Sequence, residues 1–216
     1  MVSSSIFSRL LFTQFKHSNS ILFANYCSTM SKTAILLLAE GAEEMEAIIT
    51  ADVLRRAGVL VTIASITNDS CIKCSRDVKI CADAKLADVK DTNYDAVILP
   101  GGVGWKNLAA SAKVGNLLKN QESKNGLIAA ICAAPAVLKA HGIAKGKQIT
   151  SYPSTKEQLT SDYKYIEGQM VVIDGNIITS RGPATAYAFG LAIAEKLLDK
   201  ETALKVAEAM LYDGYK

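Results

Sequence analysis

The stretch "GLIAAICAAPAVL", residues 126–138, changes periodicity across a single cysteine. Up to Ile131 it is an unbroken apolar run, which suits a strand buried on both faces better than one with a wet side. From Ala133 the spacing predicts a helix through His141, with Pro135 in its first turn, where a missing N–H costs little. A cysteine among alanines and isoleucines is ordinarily a small apolar core residue. Cys132 also fits a nucleophile elbow, because Ala129, Ala130, Ala133 and Ala134 are small enough for a crowded strand–nucleophile–helix turn. At this point both readings stand.

The same alternation extends outward in both directions. "TAILLLA" (33–39), "VLVTIAS" (59–65) and "YDAVILP" (94–100) are continuous apolar strands. Between the first two lies a helix with Met45, Ile48, Ile49 and Val53 at helical spacing, closed by Gly58. Residues 104–124 read as helical, and 184–198 and 201–212 as two terminal helices. Asp174-Gly175 within "VVIDGNIITS" predicts a hairpin. Buried strands alternating with helices imply one three-layer α/β domain with a mostly parallel central sheet.

Composition narrows the function. The chain has 216 residues, half of them hydrophobic, with a formal net charge of +3. It shows no basic stripe with interleaved aromatics, so sequence-specific nucleic-acid binding is not expected. No apolar run reaches the length of a spanning helix, so no transmembrane segment is expected either. Five cysteines, an odd number, do not suggest a disulfide framework and point to a reducing compartment. Residues 1–31 form an N-terminal extension; no acidic residue precedes Glu40, and Ile6, Phe7, Leu10, Leu11 and Phe15 share one helical face. This serine-rich start reads either as a mitochondrial presequence or as a dispensable extension ahead of Met30, leaving 32–216 as the α/β domain.

Activating Cys132 requires partners. In open α/β sheets, reactive groups collect beyond the carboxyl ends of the strands. A helix start beside Cys132 would favour thiolate through its dipole and free N–H groups. Gly101-Gly102, after the strand ending at Pro100, lets backbone N–H groups approach a substrate oxygen, or else makes only a tight turn. A histidine base is excluded: His17 lies in the extension, and His141 is ~13 Å along the helix that Cys132 precedes. Glu46 is a candidate neighbour, although spacing does not separate it from Glu43 and Glu44 at the same helix start. The C-x-x-C at 71–74 lacks a second pair for zinc and reads as free structural or surface thiols. Cys81 and Cys27 carry no pattern.

"GAEEME", "VLRRAG", "CSRDV", "YDAVILPGG", "GLIAAICAAP", "SYPS" and "TSRGPATAYAFGLAIAE" follow one another in an order that resembles the ThiJ/PfpI superfamily, and within it the parkinsonism-associated deglycase branch. The resemblance runs from about residue 32 to the end. It implies a flavodoxin-like sandwich, a homodimer and cofactor-free chemistry. Cys132 would be the oxidisable nucleophile and Glu46 the acid that hydrogen-bonds its sulfur and depresses its pKa. Gly101, Gly102 and Ala133 would line the bound oxygen, and Arg76 would lie near the dimer interface. The implied activity is that of a glyoxalase or deglycase on methylglyoxal and other small 2-oxoaldehydes, or on early glycation adducts of proteins and nucleotides. The alternative is a redox sensor or chaperone working through Cys132 oxidation, in the cytoplasm, in mitochondria or in both. A peptidase or amidotransferase would need the absent histidine. Three departures stand out: Tyr152 replaces a histidine, Ala134 a glycine, and the loop after Gly102 is shorter and carries Trp105.

Overall fold

Each residue of the first strand faces one of two cores. In the computed structural model, which describes residues 31–89 and 93–216, β1 (Thr33–Leu38) sends Ala34, Leu36 and Leu38 to one side and Ile35 and Leu37 to the other. The sheet is therefore covered on both faces, which is why its strands carry no polar alternation. The N-terminal extension, with His17 and Cys27, lies outside the described residues.

In chain order β1 is followed by α1 (Glu44–Arg56), β2 (Leu60–Ser65), β3 (Cys71–Lys73), β4 (Lys79–Cys81), β5 (Ala84–Lys85) and β6 (Ala96–Leu99). Next come α2 (Trp105–Ala110), α3 (Ala112–Ser123), β7 (Leu127–Ile131), α4 (Pro135–His141), β8 (Gln148–Ile149) and α5 (Lys156–Leu159). The chain ends with β9 (Lys164–Tyr165), β10 (Val171–Asp174), β11 (Ile177–Ser180), α6 (Ala186–Leu197) and α7 (Lys200–Ala209). Seven strands make the main sheet in the order β10-β11-β7-β6-β1-β2-β5. Every pairing is parallel except that of β10 with β11, the hairpin expected at Asp174-Gly175. Residues of α1, α6 and α7 pack in one core, and residues of α2, α3 and α4 in the other. The expected three-layer α/β sandwich is what forms.

The structure differs from expectation in local ways. The helix expected over 104–124 is broken at Ser111, whose extended backbone ends α2 and whose hydroxyl accepts from Val114 N at 3.4 Å to cap α3. A serine offering that bond favours a new helix start over a continuous helix. Helix α4 begins at Pro135 rather than at 133: Cys132 has left-handed backbone (φ 64°), and Ala133 and Ala134 complete the turn that follows it. The segment around the C-x-x-C is an antiparallel ribbon, β3–β4, in which Cys71 faces Cys81 across the ladder. These two are joined in a disulfide, which corrects the reading of Cys71 as a structural or surface thiol and pairs it with Cys81, which carried no pattern. Among the described residues Cys74 and Cys132 are the free cysteines, and both are buried.

His141 is anchored on the far side of α4 from any chemistry. Its ring lies against Gly115 of α3, and its Nε2 is 3.3 Å from the Leu108 carbonyl oxygen. A β-carbon at residue 115 would come within 2.5 Å of His141 Nδ1. Gly115→Ala should therefore destabilise the protein by roughly 1–3 kcal/mol in urea denaturation, despite alanine's better helix propensity. Adding His141→Ala should recover most of that loss. A single variant as stable as the parent would refute the packing argument.

Candidate active site

The site is built where β1, β6 and β7 end, at the carboxyl edge of the sheet. Cys132 follows β7 directly, and its N–H is held by the Ser180 carbonyl of β11 at 3.0 Å. Its carbonyl accepts from Tyr152 N at 2.7 Å. These two bonds fix a backbone conformation that costs roughly 1–3 kcal/mol for a residue with a side chain. The result lifts the sulfur out of the strand, beside the backbone amides of Gly102 and Ala133, which favour its charged form.

The loop ahead of α1 and the Gly101–Gly104 loop after β6 meet backbone to backbone. Gly104 N donates to Gly41 O at 2.9 Å, and Glu43 N to Gly101 O at 3.1 Å. Gly102 has φ 75°, and a β-carbon there would come within 2.4 Å of Glu43 N. A β-carbon on Gly101 would lie 2.6 Å from Cys132 Cβ and 2.9 Å from Glu46 Oε2. Glycine is required at both positions for close approach.

The three acidic side chains that spacing left unresolved have separate roles. Glu43 caps α1, its Oε2 accepting from Glu46 N at 2.8 Å. Glu44 turns to the β3–β4 ribbon and accepts from Ser75 Oγ at 2.9 Å and Arg76 N at 2.8 Å. Glu46 is fully buried, and its Oε2 accepts from Gly101 N at 2.8 Å. Its Oε1 is buried with no hydrogen-bond partner, and the carboxyl lies beside the Cys132 side chain, both of them against Gly101. Gly101 thus spends its N–H on Glu46, and the amides at the sulfur come from Gly102 and Ala133. Arg76 is exposed on the ribbon turn against Glu44, with no contact to Cys132. Tyr152 is brought to the site by its backbone. Its half-exposed ring lies over Gly182 and, with Pro153, Arg181 and Pro183, lines a cleft of about 240 Å³.

Burial dominates the electrostatics. It raises the Glu46 carboxyl to about 7, against the lowering effect of Gly101 N–H and the thiol. Burial, followed by the charge and hydrogen bond of Glu46, pushes the Cys132 thiol up to about 12, while the Gly102 and Ala133 amides pull it down. The depressed thiol expected from a helix end and from Glu46 is not found: burial and the Glu46 charge both raise it. Ionisation of one opposes ionisation of the other, so a thiolate on Cys132 goes with a protonated Glu46. Ser180 and the 41–43 loop had no role in the sequence reading. Only the motifs "TSRGPAT" and "GAEEME" signalled them, without showing that their backbone does the work.

A carboxyl whose folded pKa lies above its unfolded value of 4.5 contributes stability in full below that value and loses it as pH rises through about 7. Relative to Glu46→Gln, the wild type should therefore lose on the order of 3 kcal/mol between about pH 4.5 and 8, measured by urea denaturation of both proteins across that range. A difference that stays flat with pH would show that Glu46 is ionised throughout.

Comparison with known proteins agrees with the geometry. The DJ-1/PfpI family matches residues 32–196. The protein dj-1beta of Drosophila melanogaster is 57% identical over 183 residues, covering 84% of this chain and 98% of the relative. The crystal structure of Drosophila DJ-1beta superposes with a TM-score of 0.83 at 56% identity, over 84% of this chain and 98% of that one. A Caenorhabditis elegans protein named glutathione-independent glyoxalase DJR-1.2 is 44% identical over 168 residues, covering 77% of this chain and 89% of the relative. With its doubly covered parallel sheet and a cysteine held in left-handed backbone at the end of β7, this chain belongs to the DJ-1/PfpI family.

Proposed function

We propose that the protein is a glyoxalase-type enzyme, with deglycase activity on early adducts, in which Cys132 is the nucleophile and Glu46 moves the protons. The observation that carries this reading is the buried Glu46 at the Cys132 sulfur, with its pKa raised to about 7. An acid of that strength can take a proton from the thiol and return it elsewhere at neutral pH. The relative named a glutathione-independent glyoxalase supports the same chemistry.

The steps follow from the groups in place. The thiol proton passes to Glu46, and the Cys132 sulfur adds to the aldehyde carbon of methylglyoxal to give a hemithioacetal. In this reading the Gly102 and Ala133 amides, which lie beside the sulfur, would meet the negative charge that develops on the former carbonyl oxygen. Loss of the proton on the sulfur-bearing carbon gives an enediol, and reprotonation of the neighbouring carbon leaves a thioester. Water then cleaves the thioester to lactate and restores the thiol. The net change is addition of one water to one methylglyoxal. Glu46 would serve as the base for that proton in place of a histidine, a role supported by its burial beside Cys132. In deglycation the same steps would act on an adduct carbonyl and release the amine, thiol or base it modified.

A second reading rests on the same amides. Two N–H donors aimed at sulfur, with a protonated Glu46 beside them, would also hold the oxygens of a sulfinate formed by peroxide. The two readings separate in one experiment, in which lactate is assayed from methylglyoxal with wild type, Cys132→Ser and Glu46→Gln. The serine variant should fall to background and the glutamine variant should lose about 10²–10⁴-fold in kcat. The kcat profile should bend near pH 7. Turnover by Cys132→Ser at the wild-type rate would eliminate the enzyme reading.

A further inference from the structure

The β3–β4 ribbon carries a second pair of sulfur atoms that plays no part in the chemistry at Cys132. Cys71 and Cys81 stand directly opposite each other on neighbouring three-residue strands, joined in a disulfide, and both residues are exposed. The third cysteine of the ribbon, Cys74, is buried with its thiol toward the Ile72 carbonyl and takes no part. We propose that Cys71 and Cys81 form a reversible thiol–disulfide couple that sets how firmly the ribbon holds the loop carrying Glu46.

Position makes the couple accessible. The ribbon is a separate two-stranded sheet outside the main one, with few backbone bonds of its own, such as Cys74 N to Val78 O at 2.8 Å and Ala82 N to Ser70 O at 2.7 Å. A ribbon of two short strands is marginal by itself, so a cross-link between facing residues restricts it strongly. Solvent exposure of both sulfur-bearing residues leaves them open to thiol exchange.

The ribbon is also the outer support of the site. Gly41 N donates to Lys73 O at 2.9 Å, and Ser75 N to Ala42 O at 2.9 Å. Lys73 N donates to the Glu40 carboxylate at 3.2 Å, and Ser75 and Arg76 hold the Glu44 carboxylate. Residues 40–44 in turn pack against Gly101–Gly104 and lead into Glu46. A chain of backbone bonds therefore connects the Cys71–Cys81 cross-link to the carboxyl beside Cys132.

The redox step balances with cellular oxidants. One thiolate attacks hydrogen peroxide and becomes a sulfenic acid with release of water. The other then attacks that sulfur, releasing a second water as the S–S bond forms. Two electrons pass to the peroxide. In reverse, two molecules of a thiol such as glutathione break the bond through a mixed disulfide and are oxidised to their own disulfide.

The test uses the full chain, equilibrated first with oxidised and then with reduced glutathione, which spares Cys132 the peroxide that would take it to sulfinate. Mass spectrometry of the 71–81 segment should show loss of two hydrogens in the first state and two alkylated cysteines in the second. Hydrogen exchange at the Gly41 and Ser75 amides should quicken by about threefold on reduction, and alkylation of Cys132 by iodoacetamide should change by a similar factor. The Cys71→Ser protein should show neither response. The link to Cys132 rests on that thiol being the reactive one, and alkylation reads it without turnover, so a failed lactate assay leaves this test intact. A pair that stays reduced in oxidised glutathione would overturn the couple. A pair that cycles while the Gly41 and Ser75 amides exchange at one rate would overturn its hold on the loop.

Discussion

The site depends on a contact in which no side chain takes part. The loop before α1 and the loop after β6 touch through their backbones, closely enough that a β-carbon on Gly101, Gly102 or Gly104 would clash with main-chain or site atoms. That proximity brings the first turn of α1 over the end of β7, so that Glu46 is buried against Cys132. It also turns the Gly102 N–H toward the sulfur. The elbow, the buried acid and the amide pair are three results of one constraint, and none would survive a wider separation of the two loops.

Burial then sets the chemistry. In water a glutamate and a cysteine would ionise independently, the first far more readily. Enclosed together they compete for a single charge, and the desolvation of each raises the cost of charging both. The amides at the sulfur and the amide on Glu46 offset part of that cost at separate ends of the pair. The proton therefore rests on the sulfur, and Glu46 is the group placed to receive it when the sulfur gives it up.

Much of this was legible before any coordinates. The continuous apolar runs at 33–39, 94–100 and 126–131 specified a sheet buried on both faces, and small alanines around Cys132 marked the elbow. The count and placement of histidines removed the usual base, and His141 is indeed occupied by Gly115 and Leu108. What remained hidden was geometry between distant segments. Spacing put Glu43, Glu44 and Glu46 on one helix start, but only packing assigns them to a cap, a ribbon and a sulfur. The direction of the thiol shift was hidden for the same reason, since burial is a tertiary property. Cys71 lies in a stretch that reads as β-like, but Cys81 carries no pattern of its own, so their facing positions could not be counted out.

The Cys132 amide is held by Ser180, which belongs to a strand that follows it far along the chain. On the ribosome, β7 emerges well before β11, and Glu46 has by then long been waiting for its partner. A nascent chain halted between them would carry Cys132 on an unsupported strand edge, free to adopt ordinary right-handed or extended backbone. Assembly of the elbow is therefore a late event that reports completion of the sheet. Truncation before β11 would leave a thiol without its setting, and the chemistry would switch on with the last strands rather than build up piece by piece.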